Sequence, residues 1–327
     1  MGWHVHHARR VLGAMLATAT IMILLAGTGM GPAVAASSPD NLPALRERAL
    51  QVLNADRQEH GLPALSRSES LDAAAQAHAE DMLERDYFAH ESPEGEDVRD
   101  RYLEQGGSGA RLVAENISQC TGCSAPIGQE RIDALEEGWM NSPEHRANIL
   151  KRGLDQFGFG IAVSPDARLY AVQTFSGAGM PLGIGPDEEA RQLAPGQRRD
   201  AVLEGINAER TERGMAALEP SPVLDEVGEA LLPKEGEAFE VAGKNLADVV
   251  PADARQGWAL LSAASAGCGG CGPAITAADL RWFQDRWLGS AENSEVLLDP
   301  DMTHLGFAAV ADGNGRKLAT LVVGQAR

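Results

Sequence analysis

The chain has 327 residues, 44% of them apolar, enough for about two domains that each bury a core. Its 28 basic side chains stand against 47 acidic ones, a formal charge of −19. Such a surface repels nucleic acid and anionic lipid, and no Lys/Arg cluster is dense enough to reverse this locally, so nucleic acid is excluded as a partner.

The N-terminus carries Arg9-Arg10, an apolar run over 11–30, then Ala33-Val34-Ala35, a small-x-small cleavage pattern. Residues 1–35 therefore predict an export signal, and with it a secreted protein of the extracellular space or cell envelope. A permanent anchor is the competing reading, but the run contains Gly, Thr and Ala and no stop-transfer flank follows. The paired arginines suit a twin-arginine route. No later run is apolar enough to span a bilayer, so no stable membrane span is expected after cleavage.

Leu45, Ala49, Val52, Leu53 and Asp56 fall near helical spacing, and Gly61 ends that first helix. Ser66-Arg67-Ser68-Glu69 reads as a capping box opening a second helix to about Arg85, with Leu71, Ala75, His78 and Met82 on its apolar side. Pro93 and Gly95 make 88–95 a loop, and a short helix over 97–105 follows. Residues 129–140 form an amphipathic helix through Ile132, Leu135 and Trp139. Ser142 as N-cap, Pro143 at the first helical position and Glu144 start another short helix. His145 lies in its first turn, where the helix dipole lowers an imidazole's pKa. Residues 157–163 and 169–175 alternate around a turn as a β-hairpin. Helices followed by a late antiparallel sheet predict an α+β fold.

The pattern then repeats. Leu53-Asn-Ala-Asp-Arg returns as Ile206-Asn-Ala-Glu-Arg, Cys120-Thr-Gly-Cys123 as Cys268-Gly-Gly-Cys271, Trp139 as Trp287 and Gly158-Phe159 as Gly306-Phe307. Two tandem copies are expected, at 42–177 and 200–327, joined by a Gly/Pro/charge-rich linker at 178–199. In an exported chain the four cysteines are expected as disulfides, each pair closing on itself or cross-linking to the other. A four-thiolate zinc site shared between the halves fits the same spacing. A thioredoxin-type centre does not, for want of a strand–Cys-x-x-Cys–helix context.

Three polar residues stand in otherwise structural settings: His90 in the loop, Glu115 beside Asn116, and His145 at the helix start. Two imidazoles and a carboxylate suit a divalent metal such as zinc with one position open, or acid–base chemistry without metal. By alignment on the Asn that follows, the second copy carries Lys244 for Glu115, has Asn293 for His145, and is about 24 residues shorter where His90 would lie. His78 reads as a packed core histidine, His304 as structural or exposed, and the acidic scatter over 91–100 as a solvated face.

Phe88-Ala-His90-Glu-Ser-Pro, Ala-Glu115-Asn-Ile, Trp139-Met-Asn-Ser-Pro-Glu-His145-Arg-Ala-Asn-Ile-Leu and Phe157-Gly-Phe-Gly together resemble the CAP superfamily, the cysteine-rich secretory, antigen 5 and pathogenesis-related proteins, in its bacterial secreted branch. The resemblance covers nearly all of 45–177. The second copy resembles it more faintly, through Leu298-Asp-Pro-Asp-Met-Thr-His-Leu-Gly-Phe307, as a degenerate version. It implies an α–β–α sandwich whose central cleft is lined by two His and two acidic residues, able in some members to hold a divalent metal. His90, Glu115 and His145 match three of those positions. In many eukaryotic relatives the fourth is a Glu three residues after the tryptophan; that place is Ser142 here, and Glu136 and Glu137 are the nearby substitutes.

No activated nucleophile accompanies the histidines, and no Gly-x-Ser-x-Gly elbow is present. The favoured function is a binding module of the envelope whose cleft takes a small ligand, a metal or a cell-wall segment. The alternative is a metal-dependent hydrolase of wall glycan or peptide, with His90 and His145 as ligands and Glu115 as ligand or base. Lipid or sterol carriage is permitted by the resemblance but supported by no particular residue.

Overall fold

The computed structural model describes residues 38–185, 188–241, 243 and 245–327. The export signal expected at 1–35 and the Lys244 position lie outside them. The first half runs α1 (Leu42–Glu59), β1 (Ser66–Arg67), α2 (Glu69–Arg85), α3 (Val98–Glu104), β2 (Leu112–Thr121), α4 (Gln129–Asn141), α5 (Pro143–Ile149), β3 (Gln156–Val163) and β4 (Arg168–Gly177). The second half runs α6 (Pro195–Glu212), β5 (Glu219–Pro220), α7 (Pro222–Leu231), α8 (Leu246–Val249), β6 (Trp258–Cys268), α9 (Ala277–Leu288), α10 (Ala291–Leu297), β7 (His304–Ala311) and β8 (Lys317–Ala326). Each half contains a four-stranded sheet, of order β1-β3-β4-β2 in the first and β5-β7-β8-β6 in the second. In both, the short first strand is parallel to its neighbour and the others are antiparallel.

Alternation along β4 builds the layers of the first half. Leu169, Ala171 and Phe175 pack with Leu45, Leu53, Ile132 and Trp139 of α1 and α4. Tyr170 and Val172 point the other way, onto Ala79 and Met82 of α2. The α+β sandwich is thus present, and each large apolar side chain so buried contributes about 1.5–3 kcal/mol. Helix α2 lies directly on β3 because Gly158 and Gly160 leave room: a Cβ at Gly158 would stand 2.2 Å from the Leu71 carbonyl carbon.

Several local expectations are corrected. Ser66 pairs in β1 instead of capping; Ser68 is the N-cap residue of α2, and its hydroxyl meets Ser70 and not the helix backbone. Ser142 does precede α5, but its side chain makes no capping bond. Each cysteine pair closes on itself, Cys120–Cys123 and Cys268–Cys271, which removes both the cross-linked and the zinc readings. The segment expected as a linker packs onto the second half: Gln192 bridges Thr276, and Arg191 O accepts from Ala277 N at 3.0 Å. At the junction Gly270 N donates to Ala110 O at 2.8 Å and Gly272 N to Ala178 O at 2.7 Å. Gly179, at φ +81°, admits this approach, since a Cβ there would fall 1.7 Å from Gly270 O.

One fully buried arginine ties helix one to the short fifth element in each half. Arg57 donates from Nε to Pro63 O, and from one amino group to Ile149 O at 2.7 Å and Lys151 O at 3.1 Å, beyond the end of α5. Arg210 does the same to Ala216, Leu297 and Asp299. Removing the guanidinium strands several carbonyls that lack intrahelical partners. Arg57→Met is expected to destabilise the first half by about 3 kcal/mol or more in urea unfolding; a loss below about 1 kcal/mol would show that α5 does not depend on this contact.

Candidate functional site

Glu115 is the starting point. It lies mid-way along the edge strand β2 with its side chain on the α2 face, and it is only 6% exposed. A carboxylate so buried has to be paired. Arg101 of α3 donates to Oε2 at 2.9 Å, and His90 Nδ1 meets Oε1 at 2.8 Å. Arg101 also donates to His90 O and Glu96 O, both at 2.9 Å, so one guanidinium neutralises the acid and ties down the loop that carries His90. Ser92 closes that loop by accepting from Glu96 N. His78 on α2 contacts Ala89 O at 3.0 Å and comes within 3.8 Å of Glu115 Oε1, forming the floor of the cleft.

His145 is held near this site through its backbone. Asn116 donates to His145 O at 3.2 Å, and Asn148 donates to Glu115 O at 3.0 Å, so α5 is stitched to β2 on either side of the glutamate. The charges then sort the imidazoles. Its hydrogen bond to Glu115 raises the His90 pKa, and the ring remains 55% exposed. Burial, reinforced by repulsion from His90, lowers that of His145. Burial likewise holds His78 neutral. With His90 Nδ1 donating to the carboxylate, Nε2 is the ring nitrogen left for another partner.

The structure pairs His90 directly with Glu115 and holds the His145 backbone beside the same strand, its ring near enough to His90 to feel that charge. It does not bring Glu136, Glu137 or Ser142 to them. Glu136 is 3% exposed on the opposite face of the sheet, where Gln173 Nε2 donates to Oε2 at 2.5 Å. Burial, with Asp56 adding, pushes its carboxyl up to about 8, so it is protonated at neutral pH. Glu137 is exposed beside the groove between α1 and α4, and Ser142 only marks the start of α5. Sequence reasoning missed Arg101, the contribution of His78, and the amides Asn116, Asn148 and Gln173. Gln173 did leave a signal, a polar residue in the inward phase of 169, 171 and 175.

The second half needs a corrected alignment. Cys120 pairs with Leu169 and Glu115 with Thr174, while Cys268 pairs with Lys317 and Ala263 with Val322. Ala263, and not Lys244, therefore occupies the Glu115 position. On this register the 24-residue deficit disappears: from the first helix to the cysteine pair the second half is only five residues shorter, which the shorter α7, 10 residues against 17 in α2, more than accounts for.

The donors fit a resident hydrolytic metal poorly. Both Glu115 oxygens are engaged by Arg101 and His90, which leaves two imidazoles where a hydrolytic zinc takes three protein ligands. No cluster of three or more His, Cys, Asp or Glu suited to a metal occurs among the described residues. Glu115 instead orients His90, as a carboxylate partner of imidazole does in many sites.

Because Glu115 raises the His90 pKa, this contact stabilises the fold fully below the ordinary histidine value and is lost as pH rises through the folded value. Glu115→Gln is expected to drop the His90 titration, followed by NMR, to or below about 6.5, and to abolish that pH window of stability. An unchanged His90 titration would contradict the pairing.

Residues 50–175 match the model of the family described as CAP, cysteine-rich secretory protein family. The uncharacterized protein YkwD of Bacillus subtilis (strain 168) is 31% identical over 128 residues, 39% of this chain and 46% of that protein. The uncharacterized membrane protein YlbC of the same organism is 32% identical over 131 residues, 39% of this chain and 33% of that protein. The chain thus spans less than half the length of either curated relative. A solved extracellular protein containing an SCP domain, from Bacillus anthracis str. Ames, is 27% identical, with 41% of this chain and 40% of that chain covered and a TM-score of 0.34. With its sandwich, its edge-strand glutamate and its paired histidines, the segment 50–175 belongs to the cysteine-rich secretory protein (CAP) family, in its bacterial form.

Proposed function

We propose that the protein acts outside the cell, in the envelope, as a binding module whose first-half cleft takes a hydroxyl- or carboxylate-bearing segment of cell-wall glycan or peptide. The two closed disulfides support an oxidising compartment. Among the described residues no helix is long and apolar enough to cross a membrane. The observation that carries the reading is the exposed His90 ring, oriented through Nδ1 by a buried glutamate whose charge Arg101 balances. That arrangement favours charge on the His90 ring, whose pKa is raised, and disfavours it on His145, whose pKa is lowered: one ring biased towards a charged donor and one able to accept or donate. Half-exposed Phe88, against Tyr170, adds an apolar surface two residues from His90. Among the described residues no Ser, Thr or Cys hydrogen bond to either ring is seen, and both Glu115 oxygens are engaged by Arg101 and His90, so no residue contact favours the hydrolase reading over binding.

The test is co-sedimentation of the mature protein with purified wall sacculi. His90→Ala and His145→Ala should each weaken retention about tenfold, about 1.4 kcal/mol; His145→Ala should leave the thermal midpoint near wild type, and His90→Ala should lower it because Glu115 loses one of its partners. Retention by the wild type should also fall as pH rises through the His90 pKa, since only the protonated ring carries charge. Equal retention by wild type and both variants would refute the cleft as the binding site.

A further inference from the structure

Behind the cleft, on the far face of the sheet, four side chains form a head-to-tail line. Asn148 Nδ2 donates to Asn116 Oδ1 at 3.0 Å, Asn116 Nδ2 to Gln173 Oε1 at 3.0 Å, and Gln173 Nε2 to Glu136 Oε2 at 2.5 Å. Side bonds leave this line for the two backbone points that flank the site, Glu115 O and His145 O. The edge strand receives a further cover from Trp139 Nε1, which donates to Ile117 O at 3.2 Å.

The second half solves the same packing problem without any of it. At the register position of the Asn116–Gln173 pair stand Ala264 and Leu321. Val296 holds the place of Asn148, and Gln284 that of Glu136, counted from Trp287 and Trp139. Strand β6 and helix α10 form all the same. The fit is looser: a cavity of about 70 Å³ lies among Ala263, Ala264, Asn293, Val296 and Leu321, and the buried Trp287 Nε1 has no partner among the described residues.

A buried polar line that an apolar set can replace is not explained by stability, because well-packed apolar substitutes are commonly neutral or better. The line ends on Glu136, whose carboxyl also interacts with Asp56 of α1. We propose that Asn148, Asn116, Gln173 and Glu136 are positioning residues, which fix the α5 backbone at His145 relative to the strand at Glu115 and so hold the two sides of the cleft in register. This deepens the reading of the cleft as a ligand site and rests on it. None of the four contacts the ligand; they act through the backbone of residues that do.

The test grafts the second half's own residues into the first, as the triple variant Asn116→Ala, Asn148→Val, Gln173→Leu, with Glu136→Gln as the conservative control. In the triple variant the α5 amides should exchange hydrogen at least tenfold faster, while β3–β4 exchange and the thermal midpoint stay near wild type. Sacculus retention should fall about tenfold. Glu136→Gln, which keeps an oxygen acceptor for Gln173, should leave α5 exchange and retention near wild type. Unchanged α5 exchange in the triple variant would overturn the proposal, as would loss of cooperative folding in the first half, because the line would then be structural. If wild type itself fails to bind sacculi, the ligand assignment falls, and the exchange comparison still decides the positioning role.

Discussion

A carboxylate placed inside a sheet has two ways to exist: protonated, or ionised and paired with opposite charge. Glu115 takes the second and Glu136 the first. Glu115 draws Arg101 inward, and the same guanidinium then holds the loop that presents His90. The orientation of the cleft's exposed imidazole is therefore a consequence of how one acid was buried. Glu136, lacking any cation, is kept neutral by desolvation and ends a line of amides as their acceptor. Two acids close in space thus serve opposite purposes, one electrostatic and one geometric.

The two halves separate what the fold requires from what the cleft requires. Both keep the buried arginine of helix one, the glycine under the crossing helix, the tryptophan and the closed cysteine loop. The first half alone has Glu115, His145 and the amide line; the second has Ala263, Asn293, Ala264 and Leu321 at those places. The second half thus repeats the strand order and the structural supports of the first without those polar side chains. Its Cys268–Cys271 loop lies against Ala110 and Ala178 of the first half through glycine backbone, where side chains would not fit.

Much of this was legible in the residues. Helix α2 ends where its apolar periodicity stops, α3 occupies Val98–Glu104 within the expected 97–105 with Asp97 as its N-cap, and the β3–β4 hairpin follows its alternation. Strand β2 was harder to read, because an edge strand that carries Glu115, Asn116 and Ser118 shows polar residues in both phases. Lys244-Asn245 imitated Glu115-Asn116 in sequence, whereas the true counterpart is written in alanines. Arg101 could not be singled out, since Arg99 and Arg111 are equally near and nothing in spacing marks which one turns inward. His90, Glu115 and His145 were legible as polar residues where structure alone demanded none; Glu136 was visible too, but its burial on the other face depends on which side of α4 meets the sheet.

The pairing of Glu115 with Arg101 is the contact on which the rest turns, and a double-mutant cycle measures it most directly. Glu115→Gln leaves the Arg101 guanidinium without a carboxylate and Arg101→Met leaves Glu115 with imidazole partners only, so each should cost about 3 kcal/mol or more, whereas the double variant, with neither charge, should be more stable than either single variant. Additive losses, with the double variant the least stable of the three, would mean that the two side chains do not compensate each other and that the cleft is not built around this acid.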